Sequence, residues 1–342
     1  MWSTYRIRTL GMVVCLLGSV TLAGCRADEV PVVYETKARR YFDTDSVAVY
    51  RTDARTAWLF ATEKAGDTVA MFDAVSGKLL GRLGGTGTGA GRFGRPNGIC
   101  VADVPGKGGL HRPVLFVAER DNRRVQAFSL PDRKPIGTFG QKRFRSPYGI
   151  DVCRSDDALL VFVTDAGAPR TEHVRRWRVR LAGEAIAAEH ERSFGDAEGK
   201  GVLSAVESIA ADAENKRLYI CDEGSPRNIK VYSLDGKFLG RTFGDGVVQH
   251  EAEGLAIWRR GREGYIILAD QGAHRTYFRV FDRASLKHVG TFTSRIANTD
   301  GICLVQAPLG PWKTGVLYAV HNDGPVRACA WADIAKALEL GK

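Results

Sequence analysis

The chain has 342 residues, 44% hydrophobic and 26% charged, a balance that excludes a disordered protein and is sufficient for a large core. Gly at 39 residues against Pro at 12 suits many tight turns and excludes a low-complexity linker. Forty-nine Lys and Arg against 39 Asp and Glu leave a formal net charge of +10, which favours an anionic partner; with no basic helical stripe, zinc spacing or RNP-type motif, that partner is not expected to be nucleic acid.

In chain order, Arg6 and Arg8 precede an apolar run from Met12 to Leu22, too short to span a bilayer, so residues 1–24 read as a signal peptide. Leu22-Ala23-Gly24-Cys25 resembles the lipobox of bacterial lipoproteins. That resemblance implies acylation of Cys25, a short tether over residues 25–30 and, because Arg26 rather than Asp follows, anchoring in the outer membrane. The later cysteines, Cys100, Cys153, Cys221, Cys303 and Cys329, fall in strand-like apolar runs and read as small buried hydrophobes; no CxxC pair suggests zinc.

From residue 45 onward one phrase recurs six times. An apolar run ends in a polar residue at Trp58–Glu63, Val114–Glu119, Leu160–Asp165, Leu218–Asp222, Tyr265–Asp270 and Val316–His321. An alternating run follows each, as at Val69–Asp73 and Ile229–Ser233, and a run closing on Gly often follows that, as at Leu80–Gly84. Ahead of each phrase another strand opens, at Asp45-Ser-Val, Asn97-Gly-Ile, Tyr148-Gly-Ile, Glu207-Ser-Ile, Glu253-Gly-Leu and Asp300-Gly-Ile. Six units of four strands, with a period of about fifty residues, predict an all-β six-bladed β-propeller of four-stranded antiparallel blades over residues 31–342. The sixth unit lacks a closing strand after Trp331, so one from residues 30–42, at Val30–Tyr34, is expected to complete it.

In a propeller the innermost strands line the central channel, so Asp45, Asn97, Tyr148, Glu207, Glu253 and Asp300 are expected to face one another at one mouth. The exits of the next strands add Glu63, Glu119, Asp165, Asp222, Glu223, Asp270, Gln271, Asn322 and Asp323. Crowded carboxylates repel unless cations neutralise them, and a loose ring of oxygen ligands suits Ca²⁺ better than the strict octahedron of Mg²⁺. Lys64 and Arg120 directly follow exit acids, and Lys142, Arg143 and Arg145 precede Tyr148, which outlines a phosphate site beside the acids. Arg175, Arg176 and Arg178 read as a solvated strand face. No nucleophile elbow or P-loop is present.

The segments Glu207–Asp212, Leu218–Glu223, Glu253–Trp258, Gly264–Gly272, Thr299–Ile302 and Leu309–Pro311, with Thr44–Tyr50 upstream, resemble the β-propeller phytases in order and spacing. The resemblance implies a calcium-dependent phosphomonoesterase of the 3-phytase type, hydrolysing phytate (myo-inositol hexakisphosphate) with metal-activated water. It also implies a metal set of Asp45, Glu207, Glu223, Glu253, Gln271 and Asp300 for two or more Ca²⁺, with Asn97 and Glu35 as weaker candidates. Lys64, Arg120 and Tyr148 then contact substrate. Three positions depart from the family pattern: Ser46 and Ile99 stand where acids are usual, and Asp165-Ala-Gly replaces a Lys-Glu pair. Phe93–Ile99 and Glu119–Phe128 also resemble NHL-type repeats, which form non-catalytic binding propellers, and a lactonase-type metal-dependent hydrolase is a further alternative. A monomer is expected.

Overall fold

The computed structural model describes residues 27–37 and 42–341. The signal peptide and Cys25 lie outside the described residues. Six sheets of four antiparallel strands form the six-bladed propeller that the repeats predict. The inner strands of blades one to six are Thr44–Arg51, Pro96–Pro105, Pro147–Arg154, Val206–Asp212, Glu251–Arg260 and Ile302–Val305. Second strands read as unbroken apolar runs because blades cover them on both faces; Leu159–Asp165 is buried throughout. At the rim, Leu79–Gly84 alternates between half-buried and exposed. The core is accordingly six apolar clusters, each between two neighbouring blades, as where Phe116 and Val125 of blade two meet Val161 and Trp177 of blade three.

The ring is closed by the N-terminal segment, as the missing fourth strand of the sixth unit required. Tyr34–Glu35 pairs antiparallel with Val326–Ala330 as the outer strand of blade six. The hydroxyls of Tyr34 and Tyr318 both donate to the Ala74 carbonyl, fastening blade six to blade one. Just upstream, Asp28–Glu29 adds a fifth, parallel strand to the rim of blade five, and Val30 is buried between blades five and six. Contacts with the propeller thus begin at Asp28, within the stretch read as tether. After Ala330 the chain turns into a short helix, Trp331–Ala337, whose first indole stacks on Trp258 at 5.5 Å.

One irregularity positions the site. In each of the first five inner strands the register with the second strand slips at the same place, between Thr44 and Val47, Pro96 and Ile99, Pro147 and Ile150, Val206 and Ile209, and Ala252 and Leu255. A bulge of this kind releases a residue from the ladder and re-aims its side chain. The residues released first are Asp45, Asn97, Tyr148, Glu207 and Glu253. The glycines that follow ring residues are there for room: a Cβ on Gly98, Gly149, Gly254 or Gly301 would lie 2.8 Å or less from the carbonyl oxygen of Tyr148, Glu207, Asp300 or Asp45 in the next blade.

At the opposite end, Arg283 of blade five is fully buried and pairs through two nitrogens with Asp212 of blade four, which also accepts from the Tyr219 hydroxyl at 2.8 Å. Removing one partner of such a pair strands the other charge. Arg283→Met should cost about 3–5 kcal/mol in urea unfolding, and the Asp212→Asn/Arg283→Met double variant should cost less than the sum of the two singles.

Candidate functional site

The bulges bring Asp45, Asn97, Tyr148, Glu207 and Glu253 together at one mouth of the channel, where Asp300, just ahead of the sixth inner strand, joins them and charge on one is felt by the others. Asp45 accepts from Asn97 Nδ2 at 3.2 Å and from Ser46 Oγ at 2.6 Å, so the Ser in the slot where an acid was expected serves the carboxylate beside it. Gln271 Nε2 donates to Asp300 Oδ1 at 2.5 Å. Around this ring stands a second one at the mouth ends of the second strands: Lys64, Arg120, Ala166 and Glu223 directly follow theirs, Gln271 is the last residue of its strand, and Asn322 lies two residues past the end of its own.

A third row precedes the ring by two positions, and two of its members were not anticipated. Asp43 and Glu251 occupy equivalent places in Asp43-Thr-Asp45 and Glu251-Ala-Glu253, and residues two apart on a strand share a face. Carboxylate oxygens of Glu223, Glu251 and Glu253 lie within 4.8 Å of one another. The repeated acid-x-acid spelling was the signal that could have found both.

Five of the exit acids, Glu63, Glu119, Asp165, Asp222 and Asp270, do not face the mouth. Asp165 accepts from the backbone N–H of Arg145 and Ser146 and from Arg175 Nε; Asp270 accepts from the N–H of Gln249 and His250 and from Arg279. Glu119 with Arg124, Glu63 with Arg82, and Asp222 with Lys230 repeat the theme. Each is a buried clamp holding the loop that leads into its own inner strand or the strands beside it. This corrects three expectations. These five exit carboxylates belong to the blades, since a buried acid must be paired, whereas Glu223 stands at the mouth. Arg175 and Arg176 are buried and ion-paired rather than solvated, Arg176 with Glu191 and Asp235. Glu35 lies on the outer strand of blade six, paired with Arg327, because closing the ring places it at the rim. Ile99 is buried in the apolar cluster between blades one and two.

Charge divides the mouth in two. Lys64 Nζ lies 2.9 Å from Asp45, 3.1 Å from Asp43 and 3.3 Å from Asp300. Burial alone would lower its pKa, but Asp45 and Asp300 outweigh it and hold the ammonium well above the usual lysine range. On the other side Glu207, Glu223, Glu251 and Glu253 have no cation partner among the described residues. Burial first, then Glu223 and Asp45, push Glu207 up to about 9, with the Tyr148 hydroxyl opposing the rise. Burial and a hydrogen bond with Glu223 raise Glu253 strongly, and burial with Asp45 lifts Asp300 to about 7 against the pull of Lys64. Tyr148 is held protonated by burial and by Asp45, Glu207 and Glu253.

The residues present fit a hard cation. Glu207 Oε2 and Asn97 Oδ1 are buried without a hydrogen-bond partner, and Asn97 is fully buried. Uncharged oxygen donors beside clustered carboxylates are the ligand set of Ca²⁺. Next to them is a cationic flank. Arg120 stacks over the Tyr148 ring at 5.9 Å and has no carboxylate partner among the described residues; Arg95 reaches Asp43 at 3.6 Å. Lys142, Arg143 and Arg145 are exposed on the loop ahead of Tyr148.

No family model matches the chain, and no curated protein sequence matches it. Among solved structures it is similar to a luciferin-regenerating enzyme, with TM-score 0.52 and 13% identity over 84% of this chain and 92% of that one. Hydrazine synthase of Kuenenia stuttgartiensis aligns with TM-score 0.47 and 13% identity over 90% of this chain and 98% of that one. At such identity the likeness to the luciferin-regenerating enzyme is one of fold.

The raised carboxyls set a pH dependence. Where an acid's pKa is higher folded than unfolded, the folded state binds the extra proton, and stability is lost as pH rises through the folded value. In chelator, the melting temperature should fall from pH 5 to pH 9, through the range where Asp300 and then Glu207 ionise. Glu207→Gln should flatten the upper part of that decline; a flat profile in the unmutated protein would contradict the crowding.

Proposed function

We propose that the mouth is the site of a calcium-dependent phosphomonoesterase acting on a small polyphosphorylated substrate, phytate, in a protein anchored to the outer membrane through acylated Cys25. One observation carries this reading: an uncompensated carboxylate cluster and an unpaired Arg120 share one mouth, so the same opening offers a place for a cation and a place for an anion. Glu207, Glu223, Glu251 and Glu253 would hold the metal, with Asn97, Gln271, Asp45 and Asp300 adjoining. A bound Ca²⁺ supplies charge to offset that on the phosphate and acidity to a nearby water.

The chain's own groups do the rest. Arg120 offers a planar fork to the oxygens of one phosphate, and its stack on Tyr148 fixes the plane of that fork. Tyr148, kept protonated, is a hydrogen-bond donor to the same anion. Lys64 supplies a point charge from the Asp45 side, and any ion held by Asp45 and Asp300 together must first displace its ammonium. The formal charge of +10 suits attraction of a polyanion to the protein as a whole.

Calcium should stabilise the protein by mass action, by about 2.7 kcal/mol at a hundredfold excess over its dissociation constant. Glu253→Gln should remove both that stabilisation and phosphate release from phytate. Arg120→Ala should keep the stabilisation and lose roughly tenfold to over a hundredfold in kcat/KM, the worth of one charge-assisted contact. If the unmutated protein binds calcium but releases no phosphate from phytate, the mouth is a binding site of the kind found in NHL-type propellers.

A further inference from the structure

We infer that the protein sits on the bilayer by the face opposite the mouth, at blades four and five, so that the mouth opens to water; this rests on the reading of Cys25 as a lipid anchor. The direction of the tether is the first ground. Asp28–Glu29 runs parallel to the outer strand His288–Thr293 of blade five, with Asp28 opposite Phe292 and Glu29 opposite Thr293. Thr293 pairs with Tyr277, and Tyr277 with Asp270, the last residue before Gln271 of the mouth. Ala27, upstream of Asp28, therefore lies on the side away from the mouth, in a groove that runs from Gln249 and Arg275 to Thr291 and His288. Cys25 is three residue steps from Asp28, a reach of about 10 Å when extended, which matches the three strand positions from Phe292 to Val289.

Exposed apolar side chains are the second, independent ground. Among the described residues the large hydrophobic side chains standing exposed are Val33, Leu80, Leu110, Leu239 and Val289. Four of them lie at the end away from the mouth: Leu80, Leu239 and Val289 are each second in an outer strand that begins there, and Leu110 is in the turn after an inner strand; Val33 stands midway along blade six, its N–H on the Ala328 carbonyl. Leu239 and Val289 belong to adjoining blades, linked where Arg241 donates to the Ser285 carbonyl at 2.9 Å. Exposed Lys237, Lys287 and His288 lie beside them. Of the nearby acids, Asp235 pairs with Arg176 and Asp282 with its own turn, while exposed Glu339 follows Leu338, which packs against Gly290. Apolar groups beside Lys237 and Lys287 suit the headgroup region of an anionic bilayer, while burial and Arg279 lower the pKa of His288, which adds no charge at neutral pH.

The test uses the full acylated chain in vesicles of phosphatidylethanolamine and phosphatidylglycerol. An environment-sensitive dye is placed at Leu239→Cys, at Val289→Cys and, as the mouth-side control on the same blade, at exposed Ala273→Cys, with the unmutated chain reporting background labelling. Emission from positions 239 and 289 should shift to the blue and be quenched by brominated acyl chains, while position 273 behaves as in solution. Equal quenching at 273 and 289, or none at either, overturns the seat. The mass of the N-terminal peptide separates the two readings: an unmodified Cys25 removes the anchor and the seat with it, whereas an acylated Cys25 with an unquenched position 289 removes the seat alone.

Discussion

Six strands can run side by side down one axis if each lets the next come into backbone contact, and the mouth follows from that crowding. Glycine after the ring residue leaves room for the neighbouring carbonyl, as with Gly149 beneath Glu207 and Gly301 beneath Asp45. The Glu207 carbonyl so approached also accepts from Thr164 Oγ1 at 2.8 Å, and the equivalent carbonyl of Glu253 accepts from Cys221 Sγ at 2.9 Å. The bulge needed for close approach is the same bulge that turns Asp45 or Glu253 out of its ladder. Structure and site are thus one device, and the ring side chain is left free to be Asn, Tyr, Glu or Asp.

That freedom is used unevenly around the axis. Blades one and two contribute Lys64, Arg95 and Arg120, while blades four and five contribute four glutamates and a glutamine. The blades' own needs for charge are met separately, by buried clamps such as Asp165 with Arg175 and Asp270 with Arg279. Because each clamp closes on itself, the mouth carries its charges without taking part in holding the loops. A molecule entering there meets groups whose counter-charges it must bring.

The propeller was legible in the amino-acid sequence because its period is long, its second strands are unbroken apolar runs, and its missing twenty-fourth blade strand had one place to come from. The ring was legible for a related reason, since Asp45-Ser, Tyr148-Gly and Glu253-Gly share a small second residue that marks the bulge. What could not be read was a one-residue offset. Asp222 and Glu223 look alike on paper, yet the first is paired within its blade to Lys230 and the second faces the mouth. Arg175 and Arg176 misled for the opposite reason: on a third strand covered by neighbours on both sides, alternation of charged residues does not announce solvent. Glu35 was placed by a resemblance local to a few residues, and ring closure put it at the rim.

Closure by the N-terminal segment also has an order in time. Thr36 Oγ1 accepts from the N–H of Val326, a bond across 290 residues, and Asp28 finds Phe292 across nearly as many. On a ribosome the first propeller residues to emerge are the last to be housed, because the strands they pair with are among the last made. Until then blades five and six present an unsealed edge, Val30 has no pocket, and the two tyrosines cannot reach Ala74. A lipid anchor acquired before that moment would hold the propeller by the very strand it is still waiting to receive.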